Sequence, residues 1–460
     1  MKRLVLHPFL YTIFPILFLY AQNATETNFT EILYPLLLAS VTAALILLAF
    51  KPLLGNFTKS SLLVTFLAFA FFSFGHLTAL LRDAEYFGAS ANVSGFLILA
   101  LIIIAALIFF VYLRKTKKKF GGLTQFLNVT AIILVLIQMG MVFKVQLNRR
   151  EQPSRIDNLD SSIFVPEVLP DIYYLIFDGY GREDILREIY QYDNSSFISE
   201  LKRRGFYIAD SSHSNYCATV QSLSSSLNLH YLHFLGKFNP HWFDRTPLAK
   251  MLAENRVFNF LKRFDYKIVA FESGHSPTQI EKADYYYKPG VTLSEFQNIL
   301  INTTPVSLLL SQTKSQFDIH RDRISYILDK IGNLEKIREP KMVFAHLISP
   351  HPPFVFSENG ESIERDWPFT FADGDHYTIQ GGTIEEYRIG YRNQLKYISG
   401  RILSLIDQIL YNSVNPPIII IQGDHGPGSG LYWEDLQKTD LRERFSILNA
   451  YYLPDLTSDS

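Results

Sequence analysis

Two hydrophobic patterns follow one another along the chain. Through about residue 145 the apolar positions come in long unbroken runs: Val5–Ala21, Ile32–Phe50, Leu62–Leu81, Gly95–Leu113 and Phe126–Val145. Each is near the ~20 residues that a helix needs to cross a bilayer core. None contains Asp or Glu, and the ionisable residues His7, His76 and Lys144 lie toward run ends. One such run would fit a buried helix of a large soluble protein. Five in succession predict a helical bundle of five membrane spans over residues 1–147. Residues 148–169 are polar without helical periodicity and read as a linker. From Pro170 onward short apolar runs alternate with amphipathic segments. Strands are expected at Ile172–Phe177, Phe206–Ala209, Lys267–Phe271, Met342–Leu347, Pro417–Gln422 and Ile447–Leu453. Helical patterns fall near Asp184–Tyr190, Phe197–Arg204, Pro247–Phe264, Arg321–Leu334 and Ile384–Leu410. Continuous apolar strands with helices between them predict an α/β domain over 170–460, its central sheet mainly parallel and covered on both faces. The stretch 272–320 is irregular and reads either as an insertion over the site or as surface.

Composition adds a division of charge. The 460 residues carry a net charge of −1, but the first 150 hold thirteen Lys and Arg against four acids, and the remainder thirty against forty. A near-neutral total with an acidic second half excludes a general nucleic-acid binder. The lone Cys217 excludes an intramolecular disulfide framework and a Cys-rich zinc site. The basic run Arg114–Lys119 and the pair Lys2-Arg3 alternate with base-poor links such as the one holding Glu26 and Glu31. The positive-inside bias then sets the N-terminus in the cytoplasm. An odd number of spans puts residues after about 146 outside, in a multi-pass protein of the plasma (inner) membrane. Lys2-Arg3 also fits the basic start of a signal peptide, although Leu19-Tyr20-Ala21 is a poor cleavage site. The second half faces outward on either reading. No intramembrane acid or Arg pair suggests a pump or channel.

The candidate chemistry sits at strand ends, where ligand sites of such sheets form. Ile172–Phe177 runs into Asp178-Gly179, Pro417–Gln422 into Gly423-Asp424-His425-Gly426, and Met342–Leu347 holds His346 and leads to Ser349-Pro350-His351-Pro352. Lys267–Phe271 leads to Glu272 and His275. Singly these read as a helix cap, a glycine-flanked turn or a loop histidine. Together Asp178, Asp424 and His425 offer hard oxygen and borderline nitrogen ligands suited to one divalent ion, Mn, Zn or Mg. Residues 212–226 look like a loop entering a helix near Thr219, where a hydroxyl at a helix N-terminus lies in a setting that favours an anion. Cys217, Ser222 and Ser224 are rival nucleophiles.

In this order the strand-Asp-Gly start, Thr219-x-x-Ser222, Pro350-His351-x-Pro353 and Gly423-Asp424-His425-Gly426 resemble the alkaline phosphatase/sulfatase superfamily over about 171–455. With spans in front, the architecture is similar to lipoteichoic acid synthases and phosphoethanolamine transferases. The resemblance implies a metal-dependent transferase that moves a phospholipid headgroup phosphoester to an envelope glycan through a phosphothreonine. Carried over, Asp178 takes the place of the first acidic ligand, a Glu in those transferases. Thr219 becomes nucleophile and metal ligand, Asp424 and His425 complete the site, and His351 contacts substrate. His275 and His346 are candidates for a second metal or for substrate. Three features depart from the pattern. The sulfatase Cys-x-Pro-Ser-Arg is absent at Cys217, the disulfides usual in phosphoethanolamine transferases are missing, and no His follows His425. The chain ends at Ser460, so a family-like tail is expected to be missing. The alternatives are a sulfatase-like phosphodiesterase or sulfuric ester hydrolase, and an inactive membrane-anchored binding protein.

Overall fold

The computed structural model describes residues 4–24, 27, 29–83, 91–150, 169–235, 245–290, 293–310, 315–363 and 369–453. Most of the expected linker lies outside them, as do Glu26 and Glu85. The chain forms two compact units, residues 1–152 with 293–315, and residues 153–292 with 316–460.

In the first unit the apolar runs fold into α1 (His7–Gln22), α2 (Thr30–Leu54), α3 (Phe57–Asp83), α4 (Ala91–Lys115) and α5 (Gly121–Arg150). Helices α2 to α5 are long and apolar enough to cross a membrane. Leu37, Leu45, Leu101, Ile108, Ile133 and Leu136 stand exposed on them, as lipid-facing side chains must. The expectation of five full spans is corrected at α1. Its 16 residues rise only about 24 Å at 1.5 Å per residue, against a hydrocarbon core of about 30 Å. Its start is set from outside the helix. Asn128 Oδ1 accepts from the N–H groups of Leu6 and His7 at 3.0 and 2.9 Å, and Asn128 Nδ2 donates to Leu4 O at 2.8 Å. His7 Nδ1 lies 2.6 Å from Thr65 Oγ1. At the other end Ile16 and Tyr20 pack with Ile32, at the start of α2. Short as it is, α1 runs from the N-terminal turns of α5 to those of α2.

The second unit is built on β1 (Ile172–Phe177), followed by α6 (Glu183–Glu188), α7 (Ser195–Arg203), β2 (Tyr207–Ile208), α8 (Thr219–Asn228), α9 (Thr246–Ala253), α10 (Arg256–Lys262), β3 (Lys267–Phe271) and β4 (Tyr285–Tyr287). Helices α11 (Glu295–Asn302) and α12 (Val306–Leu310) come next in the chain. After them come α13 (Gln316–Ile331), β5 (Lys341–Leu347), α14 (Asp375–Ile379), α15 (Ile384–Asn412), β6 (Ile418–Gln422), α16 (Leu441–Phe445) and β7 (Asn449–Tyr452). The seven strands lie in the order β2-β7-β6-β1-β5-β3-β4. The sheet is mixed and mainly parallel: β6, β1, β5, β3 and β4 run together, and β7 is antiparallel to β6 and β2. Alternation along β1 sends Tyr173, Leu175 and Phe177 to a core with α6, α7, α13 and α15. Tyr174 and Ile176 go to another with α8, α9 and α10. Helices therefore cover both faces, as the pattern predicts.

Two local expectations change. The helical pattern 247–264 is two helices, because Asn255 adopts extended backbone and its side chain caps α10 from Phe258 N at 2.8 Å. The stretch 272–320 contains β4, whose three consecutive tyrosines show no period, and also α11 and α12, which belong to the first unit. There Phe296 and Leu300 join Ile16, Tyr20 and Ile32, and Leu308 packs on Phe74 and Ile98.

Candidate active site

Parallel pairing sets Phe177 of β1 beside Leu347 of β5 and Ile176 beside Gln422 of β6. The residues that leave these three strands therefore emerge at one edge, and Asp178, His351, Asp424 and His425 meet there. Asp178 N donates to Leu347 O and His351 N to Asp178 O, at 2.9 and 3.0 Å, tying the loops after β1 and β5. Gly179, at φ 72°, turns the chain so that its N–H reaches Asp424 Oδ1 at 3.0 Å.

All four side chains are buried, with Asp424 fully out of solvent. His346, on β5 itself, joins them: its Nε2 lies 3.1 Å from Asp178 Oδ2. His425 Nε2 lies 3.3 Å from Asp178 Oδ1 and 3.4 Å from Asp424 Oδ2. Two overlapping groups result, Asp178 with His351 and His425, and Asp178 with His346 and Asp424. Within each, the candidate ligand atoms lie within 4.8 Å of one another.

Neighbouring acceptors decide which nitrogens face inward. His351 Nδ1 sits 2.5 Å from Pro352 O and His425 Nδ1 2.9 Å from Gly426 O. A carbonyl can only accept, so both Nδ1 atoms donate and both Nε2 atoms face into the site. His346 Nδ1 is 3.0 Å from Thr278 Oγ1, whose own proton goes to His275 O at 3.1 Å. His346 Nε2 faces the Asp178 carboxylate, which can only accept, at 3.1 Å. Three ring nitrogens thus face two carboxylates, of which Asp178 Oδ1 and Asp424 Oδ2 accept no hydrogen bond. Two buried carboxylates with unpartnered oxygens this close repel unless positive charge lies between them. These residues therefore fit a divalent cation with mixed oxygen and nitrogen ligands.

The electrostatics agree. Burial acts to raise the Asp178 carboxyl, but His351, His346 and His425 outweigh it and hold the group well below the usual carboxylate range. Burial likewise acts to lower His351, and Asp178 and Asp373 reverse it. His425 is lowered by burial and by Arg444.

Thr219 is the first residue of α8. Ala218, with extended backbone (φ −136°, ψ 145°), breaks the approach and lets the helix begin there. The half-buried Thr219 Oγ1 reaches His425 Nε2 at 3.2 Å. Of the rival nucleophiles, Ser224 is committed to Leu248 O at 3.0 Å. Ser222 is buried with its hydroxyl unpartnered, and Cys217 is half-buried. His275 enters neither ligand group. It lies past β3, where burial, with Arg245 next, pushes its imidazole down to about 3.

Two functional candidates escape the sequence pattern, Asp373 and Arg444. Arg444, on α16, places Nη1 2.6 Å from Asp373 Oδ2, Nη2 3.3 Å from His425 Nε2, and Nε 2.8 Å from Cys217 O. Asp373 also accepts from Tyr387 OH at 2.6 Å and lies 3.6 Å from His351 Nε2. One guanidinium thereby touches a candidate ligand and the chain just before Thr219. Arg444 directly before the apolar run of β7 is the one sequence signal that could have pointed to it.

No protein-family model matches the chain, and no curated protein does. Solved structures do match. The C-terminal periplasmic domain of a phosphoethanolamine transferase from Campylobacter jejuni is 13% identical, aligned over 63% of this chain and 81% of its own, at a TM-score of 0.39. The integral membrane lipooligosaccharide phosphoethanolamine transferase A of Neisseria meningitidis is 14% identical, over 97% of this chain and 88% of its own, at 0.38. A 2-O GAG sulfatase is 13% identical, over 62% and 65%, at 0.40. The chain is thus structurally similar to phosphoethanolamine transferases and to a sulfatase, at low identity.

Proposed function

We propose that the protein is a membrane-anchored, metal-dependent enzyme that transfers a phospholipid headgroup phosphoester to an envelope glycan, with Thr219 as nucleophile. The observation that supports this most is the meeting of the Thr219 hydroxyl, at a helix N-terminus, with inward-facing histidine nitrogens and two orphaned carboxylate oxygens. Asp178, Thr219, Asp424 and His425 would hold one ion of the Mn, Zn or Mg type. When bound, that ion would lower the pKa of the hydroxyl and offset charge on the phosphoryl oxygens. His346 is the candidate for a second metal or for substrate, while His275 lies in neither ligand group.

In the first step a bond forms from Thr219 Oγ to phosphorus while the bond from phosphorus to the diacylglycerol oxygen breaks; the leaving oxygen takes up a proton. The first-turn N–H groups of α8 point at the phosphoryl oxygens, and His351 Nε2 meets an oxygen of the transferred group. A glycan hydroxyl oxygen then attacks phosphorus, the Oγ–P bond breaks, and Thr219 regains a proton. Positioning and charge stabilisation supply most of the rate gain in such chemistry. The reacting part is drawn from residues 170–460 and faces outward. Helix α11 supports that orientation, since it packs where α1 ends and α2 starts, opposite the basic run after α4.

The test is intact-mass measurement of the full-length protein in detergent after incubation with divalent metal and mixed phospholipids. The expected result is a headgroup-phosphate adduct on Thr219, absent from Thr219→Ala. The same adduct on Thr219→Ala would overturn the assignment. Headgroup released to water with no glycan product would identify a hydrolase instead.

A further inference from the structure

Helices α11 and α12 lie among residues of the outer domain in sequence, yet they fold with the membrane helices. The contact is backbone on backbone. Gly75 N, within α3, donates to Thr303 O at 3.0 Å, and a Cβ at Gly75 would come 2.2 Å from Asn302 O and 2.8 Å from Thr303 Cα. A Cβ at Gly95, in α4, would come 2.7 Å from Leu308 Cδ2. Two membrane helices thus present glycine where this segment seats, as close helix packing in lipid requires.

Depth follows from the spans. Gly75 lies inside the candidate span Phe57–Leu80, and Gly95 opens the span Gly95–Lys115. Gly75 is about five residues from its span end, roughly 7 Å along the axis. The segment is chemically suited to that depth. Apart from Glu295 in the first turn of α11, residues 293–310 include no Asp, Glu, Lys or Arg. Hydroxyls turn back onto the backbone: Thr303 Oγ1 donates to Leu300 O at 2.7 Å, Thr304 Oγ1 to Ile301 O at 2.8 Å and Ser307 Oγ to Thr304 O at 2.8 Å. Polar groups in lipid must be satisfied internally in this way. While Phe296, Leu300 and Leu308 face the bundle, Ile299 and Leu309 are left exposed, Leu309 by 70%.

We infer that residues 293–310 form a re-entrant element seated in the leaflet opposite the basic run Arg114–Lys119, with Ile299 and Leu309 against lipid acyl chains. This does not depend on the proposed chemistry. The outer sequence returns to the bilayer and is held there by Gly75 and Gly95.

The test uses single-cysteine variants of the full chain in a Cys217→Ala background, each carrying a nitroxide label in phosphatidylethanolamine/phosphatidylglycerol vesicles. Leu309→Cys is the test site, Phe69→Cys on exposed α3 the lipid reference, and Asn359→Cys in an exposed turn of the second unit the water reference. Power saturation reads accessibility to oxygen against a nickel chelate. The Leu309 label should show an oxygen-to-nickel ratio several-fold above that at Asn359. A ratio equal to that at Asn359 overturns the proposal. Adding Gly75→Leu should lower the Leu309 ratio toward the water reference with the Phe69 ratio unchanged. Persistence of a lipid-like Leu309 ratio in that variant would overturn the seat at Gly75.

Discussion

Arg444 and Asp373 form a buried ion pair, Nη1 to Oδ2 at 2.6 Å, with the two residues 1% and 3% exposed. Burial acts to raise the Asp373 carboxyl, but Arg444 and His351 outweigh it and hold it at about 2. The pair braces both candidate histidines, His425 through Nη2 and His351 through the carboxylate.

Breaking this pair on one side should be costly, because it strands a charge in the interior. Arg444→Met is expected to destabilise the second unit by about 3–5 kcal/mol. Adding Asp373→Asn should return part of that loss, giving a clear coupling term in a thermal-unfolding double-mutant cycle. Strictly additive losses would show that the two side chains act separately.

Metal should stabilise the protein by neutralising the two buried carboxylates, Asp178 and Asp424. At a hundredfold excess over its dissociation constant, a bound ion adds about 2.7 kcal/mol, read as a rise in Tm when Zn or Mn is added to chelator-treated protein. Asp424→Asn should abolish that rise. It should not lower the metal-free Tm, since Asn keeps an oxygen for the Gly179 N–H and removes a buried charge whose second oxygen has no partner. A metal-induced rise that survives in the variant would move the ion elsewhere.

Thr219→Ala should reduce headgroup transfer by at least three orders of magnitude, and Thr219→Ser should keep a measurable fraction. Neither should change the far-ultraviolet circular dichroism, because α8 starts at the extended Ala218 and not at the hydroxyl. Assay with a fluorescent phospholipid reads both. Equal losses in the two variants would argue for a structural role for the threonine methyl.

His320 supplies a pH test on a residue outside the candidate ligand set. Burial, with Arg323 next, pushes its imidazole down to about 3, while an unfolded histidine titrates near ~6.5. A depressed folded value means the stabilising contribution is complete above ~6.5. It is lost as pH falls from there toward 3, at up to about 1.4 kcal/mol per pH unit. His320→Gln should flatten the stability profile across that window. A parallel profile would show that other groups set the acid limb.

Legibility in the sequence followed physical regularity. Strands β1 and β3 appear at their predicted bounds because apolar runs closed by Asp178-Gly179 or Glu272 have sharp edges. Asp178, His351, Asp424 and His425 stood out because they end or follow such strands. Thr219 was one of several hydroxyls and needed coordinates to separate it from Ser224. Asp373 and Arg444 were hidden because one lies in irregular chain and the other on a five-residue helix, where no period marks a side chain as inward. The run Val5–Ala21 marked α1, His7–Gln22, to within two residues, and what changed is only that 16 residues fall short of a full span.

The seating of residues 293–315 in the first unit makes the two units inseparable by a single cut. The polypeptide passes between them three times, near residues 152, 292 and 315. Proteolysis in 153–168 alone would leave the second unit fastened through both ends of the re-entrant pair, and it would still sediment with membranes. A fragment begun at Pro170 would expose Phe296, Leu300 and Leu308 to water and would aggregate or need detergent. To obtain a soluble catalytic fragment, residues 293–315 would have to be replaced by a short polar loop.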